Sequence, residues 1–490
     1  GLRSLVAMKH FGLNVASDFL LTLMYSGVKG GMVIFVADDP SCWSSAQSEQ
    51  NTRFYSQMAY IPLLEPSTSQ ECKDFVKFAF DLSEKFKIPV MVRTTTRASH
   101  QSGIVVLGEI KKKKRKGEFI KDPHQFSTMP PRVLEMKKEL LEKTREIREI
   151  SEKNNINILK NRGKAKIGII TSGISYLYVM EALNQLSLNL PVLKLGFVYP
   201  LPGNKIKNFI KNLKRVLIVE ELESYLEREI KILAKDTNPK LEIVGKEKGP
   251  IEGGRIWKER KNILPEVGEL KPEYVISALS KFSGKKLKVD FKEHLRKFEE
   301  VKIAPRPPIF CPGCPYWFIF SAIKKVADLK KVIFAGEIGC YMMANHPVVN
   351  LQDYLYCMGS ASGVAHGISK ATGQKVIAFV GDSSFFHAGI PALINTVFNK
   401  SSPLIIIFDN QTTAMTGHQP HPGVGKKPEE DGVEGLKIEE IVKACGVKNL
   451  KIIDQVTQQK KFQEVLKEFL EKDEVSVIIA RHPCIFVKKS

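Results

Sequence analysis

KVIAFVGDSSFFHAGIPALINTVFNKSSPLIIIFDNQTTAMTGHQ, residues 375–419, is the stretch that decides the fold of this chain. Residues 375–380 form an almost continuous apolar run, which predicts a buried strand of a parallel sheet. Residues 404–408 form a second such run. Between the two runs, apolar residues at helical spacing predict one buried stripe, made of Ile390, Leu393, Ile394 and Val397. The stretch is therefore a βαβ unit, whose crossover makes its two strands parallel.

Polar residues follow both predicted strands. Gly381, Asp382 and Ser383 come after the first strand, and Asn410 comes after the second. Parallel strands end at the same edge of a sheet, where open α/β sheets bind their ligands. Oxygens of Asp382, Asn410 and the Thr412 carbonyl suit Mg²⁺, which completes its coordination with ligand phosphates, while N–H groups after Ser383 face those phosphates. The alternative is that Asp382 and Asn410 are only turn residues that close the strands.

This pattern resembles the signature of thiamine pyrophosphate enzymes, which normally has glycine where this chain has Ser383. The longer string GDSSFFHAGIPALINTVFNK…DNQTTAMTGHQPHPG resembles the alpha subunits of indolepyruvate:ferredoxin oxidoreductases, which are archaeal and anaerobe thiamine pyrophosphate-dependent 2-oxoacid:ferredoxin oxidoreductases. Ser383 agrees with that family. The resemblance covers nearly the whole chain and is strongest over residues 1–100 and 306–425.

The resemblance implies a multidomain α/β fold with thiamine pyrophosphate-binding parallel-sheet domains and a transketolase C-terminal-like middle domain. The chain begins without Met, inside a predicted helix, so we expect a fragment or a processed protein. It ends without the family's ferredoxin-like domain, which is then either trimmed from this chain or supplied by another chain. The family's activating glutamate is not assigned to any residue. The predicted parts are an incomplete pyrimidine-binding domain (1–109), a charged connector (110–164), the middle domain (165–250), a linker (251–305) and the pyrophosphate-binding domain (306–490). Within the connector, the range 132–155 is rich in Glu, Lys and Leu, which predicts an exposed helix.

Four cysteines are candidates for a metal centre. Cys311 and Cys314 form a CxxC pair in a Pro/Gly loop, and Cys340 and Cys484 each follow a predicted strand. Four thiolates at strand ends would hold a [4Fe–4S] cluster, with a four-cysteine zinc site as the alternative. The resemblance favours the cluster, which in that family takes electrons from thiamine. Cys357 is the alternative to Cys484 as the fourth ligand.

Other candidate residues come from the resemblance. Gly359 and Ser360 lie in GSASG, which resembles the loop that contacts the aminopyrimidine ring. His387 is predicted to face the pyrophosphate and His418 the reacting 2-oxoacid, although each is equally consistent with a structural histidine. Arg93 ends a predicted strand, where it would meet a substrate carboxylate or cap the strand. By analogy, coenzyme A contacts the middle domain.

The charge of the chain is strongly basic, at +21 from 74 Lys and Arg against 53 Asp and Glu. The lysines are scattered along predicted helices, which favours a solvated surface or attraction to acidic ferredoxin. Nucleic-acid binding would need aromatic residues among the charges, and the basic block 111–117 has none. There is no signal peptide and no apolar run of the roughly 20 residues that span a membrane, so we predict a cytoplasmic enzyme.

The activity that this resemblance implies is oxidative decarboxylation of arylpyruvates such as indolepyruvate. It uses thiamine pyrophosphate, Mg²⁺ and a [4Fe–4S] cluster, transfers the acyl group to coenzyme A, and reduces ferredoxin. The implied assembly is a hetero-oligomer with a beta subunit. The alternative is a non-oxidative thiamine pyrophosphate-dependent decarboxylase or synthase, which needs Asp382 and Asn410 but has no use for the cysteines.

Overall fold

The computed structural model describes most of the chain and divides it into two compact units, Gly1–Val301 and Lys302–Ser490. The described residues are 1–44, 47–109, 116–160, 165–246, 263–286, 308–427 and 434–487, with single positions between 293 and 301 and at 430–431. Most of the basic block 111–117 and part of the predicted linker 251–305 therefore lie outside the described residues. Within the described part, no helix has the length and apolar character needed to cross a membrane.

The first unit contains two five-stranded sheets. Its strands are β1 (Ser4–Lys9), β2 (Met32–Asp38), β3 (Leu63–Leu64), β4 (Val90–Thr95), β5 (Ile158–Lys160), β6 (Ile167–Ser172), β7 (Val192–Leu195), β8 (Phe197–Tyr199), β9 (Arg215–Val219) and β10 (Glu242–Val244). Its helices are α1 (His10–Val15), α2 (Ser17–Ser26), α3 (Arg53–Ala59), α4 (Ser69–Phe86), α5 (Thr96–His100), α6 (Pro123–Phe126), α7 (Arg132–Lys153), α8 (Ser175–Gln185), α9 (Gly203–Ile210), α10 (Leu226–Thr237) and α11 (Pro272–Ser283).

Each sheet contains one strand from a range that was predicted to belong to a different part of the chain. The first sheet has the order β1-β2-β4-β3-β8, and β8, from the range predicted as the middle domain, pairs antiparallel with β3. The second has the order β10-β9-β6-β7-β5, and β5, from the range predicted as connector, pairs antiparallel with β7. The remaining pairs are parallel. The predicted domain boundaries stay predictions.

Two local predictions in the first unit are wrong. The helix predicted at the start of the chain is strand β1, because its backbone pairs in parallel with β2 from Ser4 opposite Met32 to Lys9 opposite Ala37. The helix predicted as exposed between 132 and 155 has a buried face, because Leu140 and Ile147 join the main hydrophobic cluster of the unit.

The second unit is built on one parallel sheet with the order β12-β11-β13-β14-β18-β17. Its strands are β11 (Ile333–Gly336), β12 (Tyr354–Leu355), β13 (Val376–Gly381), β14 (Leu404–Asp409), β15 (Lys426–Lys427), β16 (Glu430–Asp431), β17 (Asn449–Ile453) and β18 (Ser476–Arg481), of which β15 and β16 form a separate antiparallel pair. Its α-helices are α12 (Tyr316–Val326), α13 (Ser360–Thr372), α14 (Asp382–Ser384), α15 (Ile390–Phe398), α16 (Ile438–Ala444) and α17 (Gln459–Leu470).

The predicted βαβ unit is confirmed. β13 and β14 are fully buried and pair in parallel, from Ile377 opposite Leu404 to Gly381 opposite Phe408. The helix between them contains a π turn, Phe385–Gly389, between α14 and α15. The predicted stripe is wrong at Ile394, which is 51% exposed. The buried face is centred on Leu393, and the next residue along a helix is turned about 100° away.

Candidate functional site

The carboxyl ends of β13 and β14 bring Asp382 and Asn410 together, as the sequence predicts. Asp382 is buried, and its Oδ1 accepts a hydrogen bond of 2.7 Å from its neighbour Ser383 N. Its Oδ2 accepts a 2.9 Å hydrogen bond from Gln411 N, directly beyond Asn410. The two loops are thus tied together by a backbone group, which fixes the carboxylate beside the second strand end.

The carboxamide of Asn410 completes a small cluster of polar atoms. One of its two terminal atoms lies 2.7 Å from the Thr412 carbonyl oxygen and 3.2 Å from Asp382 Oδ2, and the other lies 2.8 Å from the Tyr316 hydroxyl. With the Asn410 amide nitrogen at the first position, it donates hydrogen bonds to the Thr412 carbonyl oxygen and to Asp382 Oδ2. With the amide oxygen there, three oxygens converge, and only a cation relieves their repulsion. These three groups therefore fit Mg²⁺, which prefers oxygen ligands.

The turn that follows Asp382 leaves little free space. A side chain at Gly381 would bring a Cβ atom 3.0 Å from the ring of Tyr341, so glycine is needed for this close approach. Ser383 is buried directly after Asp382. His387 lies further along, in the π turn, and is exposed. Its predicted contact with pyrophosphate remains a prediction.

Gly359 and Ser360 lie where α13 begins, in the same unit. Gly359 has a φ of 82°, and a Cβ atom on it would lie 2.4 Å from the Cβ of Ala388. A larger residue is therefore excluded twice, by its backbone conformation and by the packed π turn. This close packing places the start of α13 against the segment that follows Asp382.

Glu337 is a site residue that the sequence analysis missed. It follows β11 and is fully buried, and it accepts hydrogen bonds from the Tyr341 hydroxyl at 2.8 Å and from Ala361 N at 3.4 Å. The Tyr341 hydroxyl also lies 3.3 Å from Ser384 Oγ. Burial raises the pKa of Glu337 to about 7. Glu337 thus links the loop before Cys340 with two loops predicted to hold the cofactor. The only feature of the sequence that pointed to Glu337 is its position as an acidic residue directly after an apolar run.

His421 is the second missed residue. It lies in the PHPG part of the loop after Asn410, is 5% exposed, and has its Nε2 3.1 Å from Asp382 Oδ2. The sequence analysis singled out His387 and His418 instead, and both are exposed. The signal that was available is the turn residue Gly423 directly after Pro422, which indicates a fixed conformation for this histidine.

The structure brings together the four cysteines predicted as cluster ligands. They line one cavity of about 280 Å³, together with Asn410, His418 and a set of mainly apolar residues. The cysteines among the lining residues are Cys311, Cys314, Cys340 and Cys484. Cys357, the predicted alternative, is exposed and is not among the residues that line this cavity. The arrangement favours Cys484 as the fourth member of the group.

The thiols are not preformed as a mononuclear metal site. Within the described ranges, no three His, Cys, Asp or Glu side chains are arranged to hold a metal ion. Burial raises the pKa of Cys314 to about 11 and that of Cys340 to about 12, so these thiols are protonated near neutrality. The [4Fe–4S] cluster and the alternative four-cysteine zinc site both remain predictions for this cavity.

His418 is one of the residues that line the cysteine cavity. Its φ is 63°, its backbone N–H donates to Thr413 O at 3.0 Å, and its ring lies 6.1 Å from that of Phe486. It is exposed but also lines the cavity, together with Asn410. This position is compatible with the predicted contact to a 2-oxoacid, which remains a prediction.

Arg93, predicted to bind a substrate carboxylate, lies in the first unit and is buried. Its Nε donates to Asp38 at 2.6 Å and its Nη1 to Glu65 at 2.8 Å. Glu65 also binds Arg53 through two hydrogen bonds of 2.6 and 2.8 Å, and the arginines lower the pKa of Glu65 to about 2 against the effect of burial. Only Nη2 of Arg93 has no partner among the described residues. The structure places Arg93 in a buried ion-pair network, and its substrate role stays a prediction.

Comparison with known protein families matches two stretches of the chain. Residues 337–480 match the thiamine pyrophosphate enzyme, C-terminal TPP binding domain, which includes Asp382 and Asn410. Residues 157–304 match the indolepyruvate oxidoreductase domain. The parallel sheet of the second unit therefore carries the domain type that the sequence predicts.

Individual relatives match almost the whole chain. It is 40% identical over 491 residues to indolepyruvate oxidoreductase subunit IorA of Methanothermobacter marburgensis, covering 99% of this chain and 76% of that protein. It is 42% identical over 506 residues to IorA of Pyrococcus abyssi, covering 99% of this chain and 75% of that protein. Among solved structures, 2-oxoglutarate:ferredoxin oxidoreductase from Magnetococcus marinus aligns with a TM-score of 0.34 and 19% identity, covering 38% of this chain and 67% of that chain.

Proposed function

This chain belongs to the IorA family of indolepyruvate oxidoreductase subunits, and we propose that it catalyses the oxidative decarboxylation of arylpyruvates in complex with a second subunit. The acyl group passes to coenzyme A and the electrons to ferredoxin. It is an oxidoreductase with a thiamine pyrophosphate-binding domain. The observation that carries the proposal is the convergence of Asp382, Asn410 and Thr412 at one sheet edge, next to a cavity lined by four thiols.

The cofactor and its metal fit the second unit. In this proposal Asp382, Asn410 and the Thr412 carbonyl hold Mg²⁺, and the turn from Ser383 receives the phosphates. Thiamine pyrophosphate, when bound, supplies a carbanion that adds to the ketone of the substrate and an electron sink for decarboxylation. The start of α13 at Gly359 and Ser360 packs against the segment after Asp382, which suits it to orient the ring of the cofactor.

The four thiols distinguish the oxidative reaction from its alternative. A non-oxidative decarboxylase or synthase needs the metal site but has no use for Cys311, Cys314, Cys340 and Cys484 on one cavity wall. In our proposal these side chains hold a [4Fe–4S] cluster that accepts electrons one at a time. Asn410 and His418 line the same cavity, so the electron acceptor lies beside the predicted substrate position.

The test of the metal site is the variant Asp382→Ala, compared with Asp473→Ala. The side chain of Asp473 is fully exposed, so its removal is a matched control for the loss of one carboxylate. We expect Mg²⁺-dependent binding of thiamine pyrophosphate, measured by titration calorimetry, to be lost in Asp382→Ala and kept in the control. Unchanged affinity in Asp382→Ala would refute the assignment of the site.

A further inference from the structure

His421 occupies a buried position beside the predicted metal ligand Asp382. It precedes the short 3₁₀ turn Pro422–Val424, and its side chain is almost completely enclosed. Its ring lies 5.7 Å from the ring of Phe386, which belongs to the π turn after Asp382. The side chain of His421 therefore adds a further contact between the loop after β14 and the loop after β13.

The protonation pattern of the ring is fixed by its surroundings. Gly423 N donates a hydrogen bond of 3.1 Å to His421 Nδ1, so Nδ1 must carry a lone pair. In a neutral imidazole the proton is then on Nε2. The geometry of the turn depends on glycine, because a Cβ atom at Gly423 would lie 2.7 Å from the ring of Phe386. The fold thus presents an N–H donor at Nε2.

Nε2 faces the carboxylate but is not yet aligned with it. The nitrogen lies 3.1 Å from Asp382 Oδ2, but its N–H does not point at this oxygen well enough to form a hydrogen bond. Nε2 has no other hydrogen-bond partner among the described residues. A buried donor without a hydrogen-bond partner destabilises the folded state. A small rotation of the carboxylate as it turns towards a cation would satisfy both groups.

We propose that His421 is a positioning residue, whose Nε2–H donates to Asp382 Oδ2 and orients this carboxylate towards the metal ion of the cofactor. The inference rests on the proposed function, because it concerns the same metal site. Partners of metal ligands fix the orientation of the ligand, and their removal typically weakens metal binding by 10–100-fold. His421 acts through Asp382 and need not contact the cofactor itself.

The test compares two replacements of His421 in the full chain. His421→Phe keeps a ring against Phe386 but removes the donor, whereas His421→Gln keeps an N–H near the position of Nε2. Binding of thiamine pyrophosphate is followed by calorimetry at a series of Mg²⁺ concentrations, and folding is checked by near-UV circular dichroism. We expect half-saturating Mg²⁺ to rise by about 10–100-fold in the Phe variant and to stay near the wild-type value in the Gln variant.

Two outcomes would overturn the inference while leaving the proposed function in place. One is a folded Phe variant with wild-type dependence on Mg²⁺, and the other is a Gln variant as weak as the Phe variant. If the Phe variant does not fold, His421→Asn replaces it, since its shorter amide reaches only the position of Nδ1. If the wild-type chain binds no thiamine pyrophosphate at any Mg²⁺ concentration, both the inference and the proposed function are wrong.

Discussion

Replacing Glu337 by Gln should make the second unit more stable at and above neutral pH. The carboxyl group is fully buried, and its described hydrogen-bond donors are the Tyr341 hydroxyl and Ala361 N. Neither donor carries a positive charge, so ionisation leaves an uncompensated charge in the protein interior. Glutamine has nearly the same shape and cannot ionise.

The size of the effect follows from the pKa of Glu337. Burial raises this pKa from 4.5 to about 7. At about 1.4 kcal/mol for each pKa unit, the difference corresponds to about 3 kcal/mol of stability. Because the pKa is raised in the folded state, this contribution is complete below pH 4.5 and is lost as the pH rises to about 7. Glu337→Gln removes this pH dependence of the stability, and any other effect of the substitution on stability is the same at every pH.

The assay is thermal unfolding of the wild-type protein and the variant between pH 4.5 and 8. For a unit of this size, 1 kcal/mol shifts the unfolding temperature by about 2–4 °C, so the variant should gain about 6–12 °C on the wild type across this range. Glu464→Gln, at an exposed position of α17, is the matched control and should show no such gain. A constant temperature difference between wild type and Glu337→Gln at all pH values would refute the reasoning.

Two further predictions concern electron transfer in the complete enzyme. Cys314→Ala, assembled anaerobically with its partner subunit, should lose the iron of one cluster and coenzyme-A-dependent dye reduction while it retains slow release of carbon dioxide. Cys357→Ala is the control and should keep its iron. If Cys314→Ala also keeps its full iron content and reduces dye normally, the CxxC pair is structural. Ferredoxin reduction should weaken with rising salt, because ions screen exposed basic groups over about 8–10 Å, and a salt-independent apparent affinity would remove the role of the +21 charge.

The proximity of Asp382 and Asn410 was predictable because it depends only on the local sequence pattern and on the handedness of the crossover. Two apolar runs joined by a helix must form parallel strands, and this places Asp382 and Asn410 at one edge without knowledge of any other contact. The cysteine group was predictable for the same reason, since Cys340 and Cys484 follow strands of that sheet. The positions of the strand ends determine which residues lie near one another, even where the loop conformations are not known.

Glu337, His421 and Arg93 show where this reasoning ends. Glu337 is tied to Ala361 and His421 lies against Asp382, so the role of each depends on a contact that is distant in sequence. Arg93 was predicted to end a strand, but it lies within β4, where it is buried in ion pairs with Asp38 and Glu65. Periodicity indicates which residues end strands, whereas the partners of a buried charge are set by how several loops pack together.

Asn410 contacts both the predicted metal ligand Asp382 and the segment that contains Cys484. Its carboxamide faces Asp382, while its backbone oxygen accepts a 3.0 Å hydrogen bond from Cys484 N. One residue earlier, Asp409 lies opposite Arg481 in the pairing of β14 with β18 and accepts a 2.6 Å hydrogen bond from its Nε. A shift of β18 against β14 would therefore move Cys484 relative to the predicted metal ligands. The hydrogen-bonded pairing of these two buried strands therefore fixes the position of Cys484 relative to Asp382 and Asn410.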